Sequence, residues 1–550
     1  MKASDLLAWQ PVLFAPHLNR FALLKLGATT PSDAPRIRVL RNHAVESMAT
    51  AAPAFLTYAG TPAHVVAGAY DDSLNLPSGE AACELIWLDF QRYGRLADGE
   101  LAAWVTGRLD ALRKASTAPL VVANAPGTDP RYRPLNAALD QWASSHPGVA
   151  VLRLDAIATR LGEGFFDDRR AEATGARYSD QAALQVARAL AFEVLPRFLG
   201  APVRALAVDL DNTLYSGVLG EDGLEGVELT PDHEALQATV AELAGRGVLV
   251  SVISRNEAQD VQALFAARED FPLRPEHVAD WQVGWDAKSR SIGSAAKAFN
   301  VAPDSFLMID DNLGELVEAA RAVPGLRLLA AGPTAGASVQ ALRGYPGLWQ
   351  DRRDFAGRTA DIVANRARAA LAEVAFDDEA YLAELQAELS FNFASDDDRV
   401  RLADMSRKTN QFNLALRRLS EVEVAQYIDD PERAVVHVRL ADRLADSGSV
   451  AAIFVRREGA VALVEELCIS CRALGRRLED RMVSVAVAGA ARRLGADTVA
   501  FDYASGPRNA PARDWLAAFS GATLEESGGR IVMPVPSPAP DGPVTVKWKT

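Results

Sequence analysis

The 550-residue chain is predicted to be a multidomain α/β protein, because three different strand patterns follow one another along it. Residues 1–198 alternate short apolar strands with helical patterns, which is typical of a doubly wound layer. From Val203 an apolar strand ends in two closely spaced carboxylates, as a buried parallel strand does at a ligand site. Beyond residue 386, two long strands joined by a hairpin precede an amphipathic helix and another strand.

Composition limits the partners and the compartment of the protein. The chain has 58 basic and 72 acidic residues, for a net charge of -14, which argues against a nucleic-acid partner. Three cysteines in 550 residues do not make a disulfide framework and favour a reducing compartment. We find neither a signal-peptide pattern nor an apolar run long enough for a bilayer, and expect a cytoplasmic protein with no membrane partner.

The first domain is predicted to span residues 1–198 and to resemble flavodoxin-like or SGNH-hydrolase-like layers. Its candidate strands are 37–42, 62–68, 84–90, 119–126 and 149–156. A working SGNH esterase has a serine after the first strand and a late catalytic histidine. Here Asn42 and His43 follow that strand, and the last segment of the domain has no histidine. We therefore expect a noncatalytic domain used for contact or dimerisation, with an undetected activity as the alternative.

Four groups of polar residues at strand ends organise the next domain, residues 199–340. The first strand ends in Asp209 and Asp211, two residues before Thr213, and the second ends in Ser254. Lys288 follows about thirty residues later, and a third strand ends in Asp310 and Asp311. Alternate residues of a strand face the same way, and the carboxyl edge of an open α/β sheet is where ligands bind. Paired carboxylates there favour a hard cation such as Mg²⁺.

In this order, the four groups resemble the four motifs of the haloacid dehalogenase (HAD) phosphohydrolases. The resemblance implies that Asp209 is the nucleophile and Asp211 the general acid and base. It implies a phosphate site whose members would hold the phosphoryl oxygens: Thr213, Ser254, Arg255, Asn256 and Lys288. It also implies a Mg²⁺ site formed by Asp209, Asp211, Asp310 and Asp311, with Asp211 contributing through its backbone carbonyl.

Two segments next to this domain complete its outline. The stretch after Thr213 is glycine-rich and too short for a large cap, and Gly217, Gly220 and Gly223 permit turns with positive φ. A small cap leaves the site open to a neighbouring domain or a protein-bound substrate.

Residues 341–385 show charged helical patterns without sustained heptads, and we expect them to form a helical connector.

The last domain is predicted over residues 386–535 and is followed by a tail at 536–550. Strands are predicted at 435–443, 449–459 and 460–470, and the last is followed by Arg472, Gly475 and Arg477 before an amphipathic helix. A long strand, RxxGxx and a helix resemble the pyrophosphate loop of GNAT acyltransferases. That resemblance implies that backbone N–H groups at the helix start grip a pantetheine diphosphate.

Cys471 stands at the end of the strand that precedes this loop. The adjacent Arg472 and the following helix N-terminus should lower the pKa of its thiol and favour the thiolate. Such a thiol could carry an acyl group as a thioester. A buried structural cysteine is the main alternative, and the pair Cys468 and Cys471 is formally a CxxC, although a metal or redox site is not favoured in this context.

Six segments along the chain together resemble the FkbH-type proteins of polyketide biosynthesis, a HAD subfamily IIIC group. They are DLDNTLYSGVLGEDGLEGVEL, SRNE, WDAKSRSI, MIDDN, RKTNQFNL and SCRALGRRLED. The resemblance implies a glyceryltransferase/phosphatase that uses 1,3-bisphosphoglycerate. Its glyceryl group would pass through an enzyme thiol to the phosphopantetheine of an acyl carrier protein, and the HAD domain would remove the remaining phosphate.

The same resemblance extends the candidate sites of the last domain. Positive charge for an acidic carrier would come from Arg417, Arg418, Arg472, Arg476 and Arg477, which surface arginines explain equally well. A polar cluster placed before an apolar helix comprises Lys408, Asn410, Gln411 and Asn413, and capping or surface exposure is its alternative. Asn509 lies where a GNAT fold has a later substrate loop.

Two departures from the family pattern leave the substrate open. Tyr215-Ser216 stands where the family usually has Trp-Gly, and Arg255-Asn256 where it usually has Lys-Asn. Another small phosphorylated three-carbon acid, for example one leading to a lactyl unit, therefore remains possible. The alternatives to a bifunctional enzyme are a Mg²⁺-dependent phosphatase whose GNAT-like half docks a carrier protein, and a noncatalytic scaffold.

Overall fold

The computed structural model divides the chain into two compact units, Met1–Asp351 and Arg352–Thr550. It describes residues 2–70, 81–94, 98–127, 129–130, 132–174, 177–200, 202–350, 362, 364, 368, 371, 378–409, 411–470, 472–474, 476–537 and 542–549. Helices and sheets are abundant in both units, which confirms the predicted multidomain α/β class. The finer domain limits remain predictions. No helix within the described ranges is long and apolar enough to cross a membrane.

The first unit begins with a five-stranded parallel sheet in the order β2-β1-β3-β4-β5. Its strands are β1 (Arg36–Arg41), β2 (His64–Tyr70), β3 (Cys83–Trp87), β4 (Leu120–Ala123) and β5 (Val149–Leu152). Its helices are α1 (Ala3–Leu13), α2 (Arg20–Lys25), α3 (Glu46–Tyr58), α4 (Asp98–Ala115), α5 (Tyr132–Ser145), α6 (Leu154–Leu161), α7 (Asp168–Thr174) and α8 (Asp180–Ala189). All five predicted strands are confirmed, with shifts of a few residues at their ends.

A second parallel sheet of the same unit has the order β10-β9-β6-β7-β8. Its strands are β6 (Ala205–Val208), β7 (Leu249–Ser254), β8 (Asp280–Val283), β9 (Phe306–Asp310) and β10 (Arg327–Ala330). Its helices are α9 (Leu219–Gly226), α10 (Pro231–Gly245), α11 (Ala258–Ala267), α12 (Lys288–Phe299), α13 (Leu313–Ala322) and α14 (Ala335–Arg343). Because β6 lies between β7 and β9, the carboxyl ends of all three meet at one edge.

The glycine-rich stretch after β6 behaves partly as predicted. Gly217 has φ 107 and Gly223 has φ 70, so both occupy the conformations that glycine alone adopts easily. Gly223 breaks α9 into two short pieces. Gly220 is different from the expectation, because it lies in the first turn of α9 and has no positive φ.

The two sheets of the first unit share one continuous apolar core, and α1 closes the edge of the second sheet. The buried Gln10 of α1 donates from Nε2 to the Leu328 carbonyl at 2.9 Å. Its Oε1 accepts from the Ala330 N–H at 3.0 Å. A side-chain amide thereby replaces the neighbouring strand that β10 lacks, and the Leu328 carbonyl has the Tyr58 hydroxyl, at 3.5 Å, as a second donor.

We expect Gln10→Leu to lower the free energy of unfolding of the first unit by about 1–3 kcal/mol for each backbone group left buried and unpaired. Denaturant unfolding of the full chain measures this change. Gln340→Leu is the matched control, because the exposed Gln340 amide also reaches back to the N-terminal segment, at the Phe14 carbonyl 3.2 Å away. Equal losses for the two variants would contradict the edge-closing role of Gln10.

The second unit is built on a seven-stranded mixed sheet in the order β16-β15-β14-β13-β12-β11-β17. The strands are β11 (Glu388–Phe393), β12 (Arg433–Ala441), β13 (Asp446–Glu458), β14 (Val461–Ile469), β15 (Thr498–Ala504), β16 (Gly528–Pro534) and β17 (Thr545–Trp548). The helices are α15 (Asp378–Leu385), α16 (Arg399–Lys408), α17 (Glu421–Asp429), α18 (Glu479–Leu494) and α19 (Ala510–Ser520). The predicted hairpin between β13 and β14 is confirmed, with Gly459 at φ 62.

One segment of this sheet was predicted differently. β14 and β15 pair in parallel only over Val461–Val464, and beyond that point the segment Phe412–Leu414 lies between them. Leu414 donates its N–H to the Leu467 carbonyl at 3.0 Å and accepts from the Ala504 N–H at 3.0 Å. The next helix, α17, begins only at Glu421, because residues 412–414 first pair as extended chain with the second half of β14.

Candidate functional site

The carboxyl ends of β6 and β9 bring three carboxylates around one ammonium group. Lys288 Nζ lies 2.8 Å from Asp209 Oδ1 and 2.6 Å from Asp310 Oδ2. Asp209, Asp310 and Asp311 each offer a carboxylate oxygen, and these oxygens lie within 4.8 Å of one another. Asp209 and Asp310 are buried, whereas Asp311 is exposed. Asp209 and the pair Asp310 and Asp311 lie about a hundred positions apart in the sequence, and the fold brings them into one cluster.

Burial dominates the electrostatics of this cluster. It raises the pKa of Asp209 to about 7, against the opposing effect of Lys288 and with a further contribution from Asp310. Burial also raises the pKa of Asp311, and the nearby Asp310 adds to the shift. Burial alone would lower the pKa of Lys288, but the charges of Asp209 and Asp310 raise it, so that the lysine remains an ammonium.

The donor set fits a hard divalent cation. Three carboxylates face one ammonium group, which leaves negative charge that a buried site must neutralise. Carboxylate oxygens from two adjacent strand ends are the ligands that Mg²⁺ takes in phosphate-transferring sites. Asp209, Asp310 and Asp311 would hold the ion. The Asp211 carboxylate is not part of this cluster, and the predicted contribution of its backbone carbonyl remains a prediction.

Asp211 is held by a separate set of hydrogen bonds on the loop after β6. Its Oδ1 accepts from the Tyr215 hydroxyl at 2.7 Å and from the Leu219 N–H at 3.1 Å. Its Oδ2 accepts from Asn256 Nδ2 at 2.9 Å. Burial, the hydrogen bond to Asp211 and its charge raise the pKa of Tyr215, so its hydroxyl keeps its proton and donates. Asp211 is thus fixed at the rim of the cluster.

The predicted phosphate-binding residues fall into two groups. Ser254 and Asn256 are buried at the end of β7, and Asn256 Nδ2 donates to Ser254 Oγ at 3.0 Å. Thr213 is buried, and its Oγ1 has no hydrogen-bond partner among the described residues, which suits it to an oxygen-rich ligand. Arg255 points elsewhere: its guanidinium pairs with Glu315 at 2.9 Å and is 46% exposed. Its side chain therefore lies outside the cluster, because an acidic partner on α13 holds it there.

We expect Lys288→Gln to lower the rate of phosphate release by about 10²–10³-fold, because it removes a fixed positive charge from the site of charge development. Lys288 is the first residue of α12, where the helix dipole disfavours a cation, so that only the carboxylates account for its position. Lys297→Gln, on an exposed part of the same helix, is the matched control. Steady-state phosphate release measures both, and an unchanged rate for Lys288→Gln would refute the assignment.

In the second unit, the predicted pantetheine loop follows β14 and precedes α18. Arg472 is buried and donates from Nη2 to the Ser449 carbonyl at 2.9 Å. Arg476 is also buried, and it contacts Asp442 at 3.2 Å and Ser447 Oγ at 2.9 Å. These two side chains therefore anchor the loop and do not present surface charge to a carrier, contrary to the expectation. Arg477 is exposed, with φ 59.

The two other arginines predicted for carrier contact have different surroundings. Arg418 is partly buried and donates from Nη1 to the carbonyls of Arg407 at 2.8 Å and Thr409 at 2.6 Å. It thus satisfies the C-terminal carbonyls of α16, a structural role that the sequence did not indicate. Arg417 pairs with Glu465 at 2.7 Å and stays 41% exposed.

The predicted polar cluster is only partly assembled. Asn413 and Asn509 are both buried, and Asn509 Nδ2 donates to the Asn413 carbonyl at 3.0 Å. Lys408 pairs with Asp404 at 2.5 Å, and Gln411 is exposed. Asn410, Cys471 and Gly475 lie outside the described residues, and their proposed roles remain predictions. Burial raises the pKa of the Cys468 thiol well above its usual value, so that this cysteine is not an activated nucleophile.

Sequence reasoning missed two residues of the site. Tyr215 was noted as a departure from the family pattern, but its contact with Asp211 was not foreseen. Its position four residues after Asp211 on a tight loop is the signal that could have suggested it. Glu315, the partner of Arg255, comes from another helix and has no local sequence signal.

Comparison with known proteins gives no family assignment, since no family model and no curated protein matches the chain. The structure is similar to the N-terminal part of BF1531 from Bacteroides fragilis, which contains a phosphatase domain complexed with Mg. The TM-score is 0.49 at 17% identity, over 64% of this chain and 100% of that one.

Two acetyltransferases are also similar to part of the chain. For the GNAT-family acetyltransferase from Streptococcus pneumoniae the TM-score is 0.20 at 10% identity, over 27% of this chain and 99% of that one. For the ribosomal-protein-S18-alanine N-acetyltransferase from Escherichia coli the values are 0.21 and 11%, over 28% and 97%. Because these TM-scores and identities are low, we base the proposed chemistry on the geometry of the site.

Proposed function

We propose that the chain is a bifunctional enzyme, with a phosphomonoesterase site in the first unit and an acyl-transfer site in the second. One observation carries the phosphatase assignment. Residues from two strand ends and one helix start converge as a buried nucleophile candidate, Asp209, beside Lys288 and the acidic pair Asp310 and Asp311. This convergence makes the alternative of a noncatalytic scaffold less favourable.

In the proposed phosphatase reaction, an Asp209 oxygen attacks phosphorus while the bond from phosphorus to the alcohol oxygen breaks. Asp211 gives its proton to the departing alkoxide, so that a neutral alcohol leaves. A water oxygen then attacks the aspartyl-phosphate, the bond from phosphorus to Asp209 breaks, and Asp211 takes the proton from that water. Lys288 and Ser254 stabilise the negative charge on the other phosphoryl oxygens.

Mg²⁺ is the proposed cofactor of this site. When bound to Asp209, Asp310 and Asp311, it would neutralise charge on the transferring phosphoryl group. The support for it is the surplus of buried carboxylate over ammonium in the cluster. Phosphate release should therefore require added Mg²⁺ and cease with a chelator.

The proposed acyl transfer rests on the loop after β14 and on the resemblance to FkbH-type proteins. The loop is anchored by Arg472 and Arg476 and leads into α18, a 16-residue helix whose N-terminus suits a diphosphate. The Cys471 thiolate would attack the acyl phosphate carbon of 1,3-bisphosphoglycerate and expel inorganic phosphate. The phosphopantetheine thiol of an acyl carrier protein would then attack the thioester, and the carbon–sulfur bond to Cys471 would break.

The phosphoglyceryl group left on the carrier would then be the phosphatase substrate. A glyceryl unit, or a similar small hydroxyacyl unit, would enter polyketide biosynthesis in this way. The alternative is a Mg²⁺-dependent phosphatase whose second unit docks the carrier without transferring an acyl group. The two candidates differ in one product, the acylated carrier protein.

Intact-protein mass spectrometry tests the proposal directly. The full chain is incubated with holo carrier protein, 1,3-bisphosphoglycerate and Mg²⁺, beside Cys471→Ala. We expect a glyceryl adduct on the carrier that is absent with Cys471→Ala. No adduct with the unmodified chain, while phosphate is still released from a monoester, would leave the phosphatase and reject the transferase for this donor.

A further inference from the structure

We infer that Tyr215 is a positioning residue for acid catalysis, which directs the Asp211 proton to one oxygen and so speeds the cleavage of esters with poor leaving groups. This inference rests on the proposed phosphatase function. It concerns a residue that neither attacks phosphorus nor belongs to the proposed metal ligands, and it predicts which class of phosphate ester depends on it.

Counting lone pairs on the Asp211 carboxylate leads to the assignment. Each carboxylate oxygen has two lone pairs that accept hydrogen bonds. Both on Oδ1 are used, by the Tyr215 hydroxyl at 2.7 Å and the Leu219 N–H at 3.1 Å. Oδ2 accepts one bond, from Asn256 at 2.9 Å. The geometry thus leaves a single direction for a proton, on Oδ2.

That direction lies beside the phosphoryl site. Asn256 Nδ2 bridges Asp211 Oδ2 and Ser254 Oγ, at 2.9 Å and 3.0 Å. Ser254 is one of the residues assigned to the phosphoryl oxygens. The alcohol oxygen of a bound ester is attached to the same phosphorus, and we therefore expect a proton on Oδ2 to lie closer to the departing oxygen than a proton on Oδ1 would.

Tyr215 can fix this arrangement because its ring is buried and packed against other rings. The side chain has 0% exposure. Its ring stacks on Phe271 with centroids 6.1 Å apart and an interplanar angle of 22°, and Phe271 packs edge-on against Phe265. A hydroxyl on a locked ring therefore holds Asp211 Oδ1. Without it, Oδ1 keeps only the Leu219 N–H and has one lone pair open, so that a proton can occupy either oxygen of Asp211.

The chemical consequence concerns the leaving group. An alkoxide is a poor leaving group and needs a proton as its bond to phosphorus breaks, whereas 4-nitrophenolate leaves without one. The Tyr215 hydroxyl should matter for cleavage of an alkyl phosphate and not for cleavage of an aryl phosphate. The enzyme would then be built for esters of aliphatic alcohols, such as phosphorylated hydroxy acids.

The test compares Tyr215→Phe with the unmodified full chain on 3-phosphoglycerate and on 4-nitrophenyl phosphate, with Mg²⁺. Single-turnover release of the alcohol or phenol is measured with enzyme in excess, because hydrolysis of the aspartyl-phosphate is common to both substrates. We expect about 10–100-fold slower cleavage of 3-phosphoglycerate, since general acid catalysis supplies about 10²–10⁴-fold. Cleavage of 4-nitrophenyl phosphate should change less than about twofold, because 4-nitrophenolate leaves without a proton.

Two further variants keep the result interpretable. Tyr178→Phe removes a buried hydroxyl elsewhere in the first unit, one that reaches the Leu88 carbonyl at 3.4 Å, and should leave both rates unchanged. In an Asp211→Asn background, Tyr215→Phe should add no further loss, because the group that it positions is already gone.

With Tyr215→Phe alone, equal losses on both substrates would overturn the inference, and so would no loss on 3-phosphoglycerate. Additive losses in the Asp211→Asn background would do the same. If the unmodified chain cleaves neither ester, the proposed phosphatase function fails and the role of Tyr215 fails with it. If the unmodified chain cleaves both esters and Tyr215→Phe slows them equally, the phosphatase function stands and only the positioning role of Tyr215 is rejected.

Discussion

Asp209→Asn is expected to lower phosphate release by at least about 10³-fold, because an amide cannot form the aspartyl-phosphate. The variant should fold, since the amide is nearly isosteric and Asn Oδ1 can still accept from Lys288, 2.8 Å from the present carboxylate oxygen. Burial already disfavours the charge on Asp209, so that removing the charge does not remove a net source of stability. Malachite-green detection of phosphate with a monoester substrate measures the loss.

The same variant separates the two proposed reactions. With carrier protein, 1,3-bisphosphoglycerate and Mg²⁺, Asp209→Asn should leave a phosphorylated glyceryl adduct on the carrier. Asp260→Asn, at an exposed position in the first turn of α11, serves as the control and should behave like the unmodified chain. More than a tenth of the original phosphate release in Asp209→Asn would contradict the assignment of the nucleophile.

Asp442→Ala should destabilise the second unit by about 3–5 kcal/mol, the usual effect of removing one partner of a buried ion pair. Asp442 is 1% exposed and receives both ends of the Arg368 guanidinium, with Nε and Nη2 each at 2.8 Å. It also contacts Arg476 at 3.2 Å. Without the carboxylate, two guanidinium groups stay buried without this partner.

Hydrogen exchange of amides in 433–469 under urea measures that change within the second unit. The control is Asp446→Ala, because Asp446 pairs with Arg439 at 3.5 Å and is 65% exposed, and such pairs contribute only about 0–1 kcal/mol. Asp442→Ala should also slow carrier acylation, since it frees the Arg476 anchor of the loop, while phosphate release stays unchanged. If the two variants lose stability to within about 1 kcal/mol of each other, the value for an exposed ion pair, the role assigned to Asp442 is contradicted.

The ion pair with Arg368 also makes the contribution of Asp442 to stability dependent on pH. Although burial alone would raise its pKa, the hydrogen bond and charge of Arg368 lower it. A carboxylate whose pKa is lower in the folded state contributes stability above its unfolded pKa, and that contribution disappears as the pH falls through the folded value. The second unit should therefore lose stability on acidification, and Asp442→Ala should lose less.

The sequence predicted strands and strand-end chemistry well, because parallel strands are apolar runs that stop at polar residues. β6, β7 and β9 end close to the expected residues, and the carboxylates after β6 and at the end of β9 form one cluster, whereas Ser254 at the end of β7 contacts Asn256. Side chains held by distant partners could not be predicted. The direction of Arg255 depends on Glu315, sixty residues away, and the burial of Arg476 depends on Asp442.

The segment around Asn413 shows a second limit of sequence reasoning. Its polar residues suggested a cap before a helix, but residues 412–414 are extended chain that hydrogen-bonds to β14 and β15. Local pattern carries no information on such tertiary pairing. The hydrogen bond between the buried Asn413 and Asn509 likewise could not be predicted from the spacing or the composition of the sequence.

The closure of β10 by Gln10 has a practical consequence for work on isolated fragments. A shortened chain that starts near residue 199 would lack α1, and the N–H of Ala330 and carbonyl of Leu328 would face water as a bare strand edge. Exposed edges of this kind recruit strands from other molecules. The portion with the proposed phosphatase site, expressed alone, should precipitate or form oligomers, whereas a fragment ending near residue 350 that keeps its N-terminus should stay monodisperse.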